Sequence, residues 1–90
     1  MGEYETMRIY NRTNIPERIA VDTASLIIHN TTDDRTTIKK INDSLYYADV
    51  FAYPTMMFEI QDRDILLTLV NEDEWYHNMK PGEMSSIYHF

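Results

Sequence analysis

Hydrophobic and polar residues alternate at the start of the chain and then change to a spacing of three and four. Within residues 4–10, Met7 and Ile9 alternate with polar neighbours, which predicts a short first strand. In residues 13–30, Thr13 or Asn14 can cap a helix and Pro16 suits its first turn. Apolar or small side chains then recur at helical spacing, at Ile19, Ala20, Thr23, Leu26 and Ile27. We therefore predict a helix, with a strand as the alternative over residues 15–29 because β-branched residues are frequent there.

A second helix is predicted over residues 31–53. Thr31 or Thr32 can cap it, Asp33 and Asp34 suit its first turn, and Pro54 ends it. Its apolar side follows a spacing of i, i+3, i+7, i+10 and i+14, at Ile38, Ile41, Leu45, Ala48 and Ala52.

From residue 55 the apolar spacing changes to two. Residues 55–71 alternate on either side of the segment QDRD, which predicts a β-hairpin whose turn lacks glycine. The second strand is apolar on both faces, which predicts a central or covered position. Asn71 can cap a short helix over residues 72–80, and residues 84–90 form a last strand or stay loose. The predicted fold is α+β in a single domain, residues 1–90, with a short N-terminal strand, two helices, a β-hairpin and a short C-terminal helix.

Charge is distributed unevenly along the chain, which has a formal net charge of −7. Residues 1–45 hold seven acidic and six basic residues, whereas residues 46–90 hold eight acidic and only two basic residues. Phosphate backbones are bound by lysine and arginine, so the second half is poorly suited to nucleic acid. It is instead attracted to basic surfaces.

Several classes of function are disfavoured by what the chain contains. There is no cysteine, which removes thiolate catalysis and sulfur-ligated zinc, and the two glycines build no phosphate-binding loop. We expect a non-enzymatic protein without cofactor or metal. No apolar run is long enough to span a bilayer or to act as a secretory signal, so we expect a cytoplasmic protein, in the host cell if it is viral. Three N-x-S/T triplets, at Asn11, Asn30 and Asn42, are then not expected to be glycosylated.

The acidic half also contains the only tryptophan, within the segment NEDEWYHNMKPGEM. Tryptophan and tyrosine are enriched at the centres of interfaces, and an acidic rim suits docking on a basic groove. The alternative is that Trp75 packs in the core and the acidic residues are a solvated helix turn. The candidate protein-binding residues are Asp62, Asp64, Glu72, Asp73, Glu74, Trp75, Tyr76 and Glu83.

We therefore expect a small acidic module that binds another protein, with no direct contact to nucleic acid or membrane. In size and charge it resembles phage-encoded antagonists of host defence, the anti-CRISPR and anti-restriction proteins, which implies an inhibitor that occupies a basic nucleic-acid-binding surface. The alternative is a winged helix-turn-helix regulator, which the order of elements resembles, with Arg35, Lys39 and Lys40 reaching a DNA groove. An uncovered strand edge would further allow a symmetric homodimer.

Overall fold

The computed structural model describes residues 6–70 and 84–90. These residues form one six-stranded mixed sheet with a helix on one face. The elements are β1 (Thr6–Asn11), α1 (Glu17–His29), β2 (Thr36–Asn42), β3 (Leu45–Val50), β4 (Met56–Gln61), β5 (Asp64–Leu69) and β6 (Met84–His89). The strand order is β2-β3-β4-β5-β1-β6, with β1 and β5 parallel and the other neighbours antiparallel.

The helix predicted within residues 13–30 is confirmed as α1. Ala20 and Ala24 lie against the sheet at 1% and 0% exposure, and their small side chains let the helix approach closely. The helix ends at Asn30, whose φ of 54° is left-handed. There, the amide of Asn30 donates to the Ile27 carbonyl, and the amide of Thr31 donates to the Leu26 carbonyl.

A buried turn before the helix replaces the predicted cap. Pro16 occupies the N-cap position without a side-chain hydrogen bond, and neither Thr13 nor Asn14 caps the helix. Instead the Asn11 side chain accepts from the Thr13 amide (2.9 Å) and hydroxyl (2.6 Å) and donates to the Ile15 carbonyl (2.9 Å). The Ile15 amide donates to the Thr13 hydroxyl at 2.9 Å. The triplet at Asn11 therefore shapes the path from β1 into α1, and this asparagine is only 7% exposed.

The core lies between α1 and the sheet. The β4–β5 hairpin supplies most of its large side chains, and the fully buried apolar ones are Met56, Phe58, Ile65 and Leu67. As expected from its apolar faces, β5 is central, with β4 on one side and β1 on the other. The strands of this hairpin therefore connect the antiparallel part of the sheet to β1.

The predicted β4–β5 hairpin is confirmed, and its turn contains no glycine. Gln61 pairs with Asp64, so Asp62 and Arg63 form a two-residue loop. Asp62 has a φ of 56°, the left-handed region that such a loop requires. Aspartate tolerates this region because its short polar side chain hydrogen-bonds locally, which makes it an acceptable substitute for glycine here.

The second predicted helix is wrong, because residues 31–53 contain the hairpin of β2 and β3. The apolar positions at helical spacing do not share a buried side: Ile41 is 43% exposed, whereas Ala48 is fully buried. The β-branched residues Thr36, Thr37, Ile38 and Ile41 favour a strand. The turn is stabilised by Asn42, whose side-chain oxygen accepts from the Ser44 amide at 2.9 Å. Tertiary pairing and turn chemistry thus override the apparent helical period.

The predicted fold, with an N-terminal strand, two helices, a hairpin and a C-terminal helix, is therefore wrong. In the described residues the fold is mostly β, with six strands in one sheet and one helix. The winged helix-turn-helix alternative loses its recognition helix, since Lys39 and Lys40 lie on β2 and Arg35 directly precedes it. The predicted C-terminal helix, residues 72–80, lies outside the described residues. Residues 84–90, for which either a last strand or a loose segment was expected, contain the strand β6. Within the described residues, no helix has the length and apolar character needed to cross a membrane.

Candidate protein-binding surfaces

A cleft lies on the helix side of the sheet because α1 crosses the strands. The first turns of α1 lie beside β1 and β6. Further along the helix, Ser25 and Leu26 lie near the start of β2 and the end of β3. A helix of 13 residues is about 20 Å long, close to the roughly 19 Å that separates β1 from β2 across four strand spacings. The cleft has a volume of about 550 Å³ and opens between the flank of α1 and the β3–β4 connection.

The rim of this cleft presents an aromatic ring to solvent. Phe51 is 69% exposed, and the Arg35 guanidinium carbon lies 5.5 Å from its ring centroid, in cation–π range. The amide of Phe51 donates to the Arg35 carbonyl at 3.0 Å, which ties the β3–β4 connection to the start of β2. Ala52 has a φ of 77°, which costs a residue with a Cβ roughly 1–2 kcal/mol. Exposure and backbone strain therefore coincide at this rim.

The cleft is electrically balanced. Arg18 and Arg35 are opposed by Asp22 and Asp33 among its lining residues. The Asp33 carboxylate accepts from the Arg35 amide at 2.7 Å, so part of its hydrogen-bonding capacity serves the local turn. Within residues 6–70 and 84–90, no group of three metal-ligating side chains is found. The arrangement offers an open amphipathic surface, with an exposed ring beside two basic and two acidic residues.

Of the candidate binding residues, Asp62 and Asp64 are described and both are exposed. They flank Arg63 in the β4–β5 turn, and Asp64 lies level with Arg8 of the neighbouring strand. In the described part of the chain, neither carboxylate forms an ion pair within 4.0 Å. These two acids are therefore available to a partner, beside two arginines that reduce the local negative charge.

The other six candidates, Glu72, Asp73, Glu74, Trp75, Tyr76 and Glu83, lie outside the described residues. The described chain stops at Val70, directly after β5, and resumes at Met84, which pairs with Asn11. Asp64 begins β5 and Leu69 ends it, a distance of about 17 Å along the strand. Val70 and Met84 therefore lie at the end of the sheet opposite Asp62 and Asp64.

The basic residues proposed for DNA binding do not form one stripe. Lys39 and Lys40 are neighbours on β2, so their side chains point to opposite faces of the sheet. The Lys40 ammonium is 3.4 Å from the Asp43 carboxylate, and Arg35 lies over Phe51. The described structure separates these three cations.

Sequence reasoning missed the cleft and its exposed ring. The three segments that form it, residues 18–26, 33–36 and 50–53, are distant in sequence and meet only through the sheet. Assigning residues 31–53 to a helix placed Phe51 on a helix end and hid the turn. The available signal was the stretch VFAYP, in which two large rings precede a proline at a strand end.

No protein-family model, curated protein or solved structure matches this chain.

Proposed function

We propose that this protein acts without catalysis, by docking its acidic surface on the basic surface of another protein. In the most concrete form it is an inhibitor that occupies a nucleic-acid-binding surface of its partner, as the phage antagonists that it resembles in size and charge do. The candidate contacts are the eight residues predicted above, and the exposure of Asp62 and Asp64 supports the inclusion of these two. The six other residues are included on the basis of the sequence alone.

The charge asymmetry of the chain supports this proposal. Eight acidic residues face only two basic ones in residues 46–90, and Asp49, Asp62 and Asp64 are exposed. Folding does not require these charges, since an exposed ion pair contributes little and a net charge of −7 opposes compaction. Exposed acidic residues that do not stabilise the fold suit recognition of a positively charged partner, because complementary charge speeds association.

A partner should first be identified by immobilising the chain and capturing proteins from a host extract, with and without excess duplex DNA. A partner that uses its nucleic-acid-binding surface will be displaced by the duplex, because both ligands occupy the same basic groove. The purified chain itself should not shift a duplex probe at low salt. Capture that is indifferent to nucleic acid, or a direct shift of the probe, would contradict the proposal.

Amide substitution then tests the acidic residues themselves. Asp62, Asp64, Glu72, Asp73 and Glu74 are replaced by asparagine or glutamine. Each rim contact contributes about 0.2–1 kcal/mol, so binding should weaken by roughly one to three orders of magnitude, mainly in the association rate. The matched control replaces five acids of the first half, all exposed: Glu17, Asp22, Asp33, Asp34 and Asp43.

Both variants lose the same formal charge, so a loss confined to the first variant assigns binding to the proposed surface. An equal loss in both would mean that only total charge matters. An unchanged affinity in the first variant at low salt would show that the acidic surface is not the contact. Circular dichroism and thermal unfolding confirm that the fold of each variant is retained before its affinity is compared.

A further inference from the structure

The two edges of the sheet differ in how they are protected from pairing with another strand. At one edge, β2 carries Lys39 and Lys40, and its register with β3 shifts at Ile41, between Lys40 and Asn42. Edge lysines and β-bulges are features by which native sheets prevent edge-to-edge association. The β2 edge is therefore protected.

The other edge, β6, has neither feature. Its six residues, MSSIYH, include no lysine, arginine, acid or proline, and they pair with β1 without a register shift. Among the described strands, none pairs with its outer side. Ile87 at its middle is 55% exposed. Thus a regular, uncharged strand with an exposed apolar residue ends the sheet.

The hydrogen-bonding direction of β6 follows from its neighbour. The amide of Arg8 donates to the Arg63 carbonyl at 2.8 Å, on the side of β1 that faces β5. Arg8 and its partner Ile87 are therefore a non-hydrogen-bonded pair of the β1–β6 ladder. In a strand the amide and carbonyl of one residue point to the same side, and this side alternates from each residue to the next. The amides and carbonyls of Ser85, Ile87 and His89 therefore point away from β1.

We propose that β6 pairs with β6 of a second copy of this chain, antiparallel about a two-fold axis that passes beside Ile87. In this register Ile87 faces Ile87 of the other copy, and Ser85 faces His89. These pairs satisfy the outward amides and carbonyls of all three residues and cover the exposed isoleucines with each other. The result is one continuous sheet of twelve strands with both helices on the same face. If the axis passed beside Ser86, Ile87 would instead lie opposite Ser85 of the other copy, and the two isoleucines would not cover each other.

The charge of β6 favours a second copy as its occupant. Two molecules that each carry a net charge of −7 repel one another, and an uncharged strand is a place where they meet without opposing side chains. Added salt screens the remaining repulsion, so dimerisation should strengthen as salt is raised. Acidic docking on a basic partner weakens with salt, which makes this inference independent of the proposed function and separable from it.

Sedimentation of Ile87→Lys against the parent chain tests the surface. The parent should sediment at twice its monomer mass of 10.7 kDa, and the lysine variant at the monomer mass. Ile41→Lys is the matched control, since Ile41 is a 43% exposed isoleucine on the opposite edge and its variant should remain dimeric. A parent that stays monomeric up to about 1 mM, where even millimolar affinity would be visible, overturns the proposal.

Single cysteines test the register, in a chain that has none of its own. In the proposed register the two Ile87 Cα atoms lie about 5.5 Å apart, within the range of a disulfide. Ile87→Cys should therefore form an interchain disulfide on mild oxidation. Ser85→Cys should not, because the two Ser85 positions lie more than about 10 Å apart. Equal cross-linking of both variants, or cross-linking of Ser86→Cys in place of Ile87→Cys, would overturn the proposed pairing.

Discussion

Asn11→Ala should destabilise the protein far more than its position at the end of a strand suggests. The side chain of Asn11 makes three hydrogen bonds, two as acceptor from Thr13 and one as donor to the Ile15 carbonyl. Both Asn11 and Thr13 are buried, at 7% and 5% exposure. Alanine removes all three bonds and leaves the Thr13 amide and the Ile15 carbonyl without these partners.

The expected loss follows from the cost of such groups. Each hydrogen bond contributes about 1 kcal/mol net, and a buried group left unpaired costs about 1–3 kcal/mol. We expect a total of about 3 kcal/mol, a large fraction of the roughly 5–15 kcal/mol that stabilises a domain. For a domain of this size the midpoint of thermal unfolding should fall by about 12–24 °C.

The chain contains its own control at Asn42. Its side-chain oxygen also accepts from the amide and the hydroxyl of the residue two positions later, at 2.9 and 3.2 Å from Ser44. This second turn is exposed, so water replaces the lost bonds, and Asn42→Ala should cost no more than about 1 kcal/mol. The comparison therefore isolates burial from the turn motif.

Urea denaturation of both variants measures these free energies, with the slope of the transition checked against the parent to exclude a change in cooperativity. Asn11→Asp refines the test, because it keeps an acceptor for Thr13 but loses the donor to Ile15 when ionised. Its deficit relative to the parent should shrink as the pH falls and the protonated carboxyl regains a donor. If Asn11→Ala costs no more than Asn42→Ala, the buried turn does not contribute as argued.

Three further perturbations have defined outcomes. Phe58→Ala should cost about 3–5 kcal/mol in a urea titration, because this fully buried ring leaves a cavity in the core; a loss below about 1 kcal/mol would contradict its placement. Ala52→Gly should stabilise or leave stability unchanged, since glycine accepts a φ of 77° without a clash, whereas a clear loss would show that the turn is not strained. Phe51→Ser should lower the free energy of unfolding by no more than about 1 kcal/mol, because the ring is 69% exposed and loses only its contact with Arg35; a loss above about 2 kcal/mol would place Phe51 in the core.

The elements that sequence reasoning predicted correctly are those whose signals are local. In α1 the apolar spacing agrees with Pro16 at its start, and in the β4–β5 hairpin the alternating strands agree with a short polar turn. The exposure of Asp62 and Asp64 also follows from their place in that turn. In each case spacing and end signals favour the same structure.

The β2–β3 hairpin was mispredicted because two local signals conflict. Its apolar residues fit a helical period by number, whereas Thr36, Thr37 and Ile38 and the Asn42 turn favour strands. Pairing with the rest of the sheet decides between the helix and the strands, and this pairing cannot be read from a short stretch of sequence. The cleft was missed for the same reason, since Arg18, Asp33 and Phe51 meet only after the sheet has formed.

The parallel pairing of β1 with β5 has a consequence for how the chain reaches its native state. The meander from β2 to β5 joins strands through short connections, whereas Arg8 of β1 meets Asp64 of β5 more than fifty positions away. Closing so long a loop is slower and costs more entropy than forming a hairpin, so the meander should form first, and β1 and its neighbour β6 should be added afterwards. Until then β5, with four of its six residues buried in the finished sheet, is an open apolar edge that favours aggregation. Refolding yield should therefore fall with protein concentration and recover when β1 is tethered closer to β5 by circular permutation.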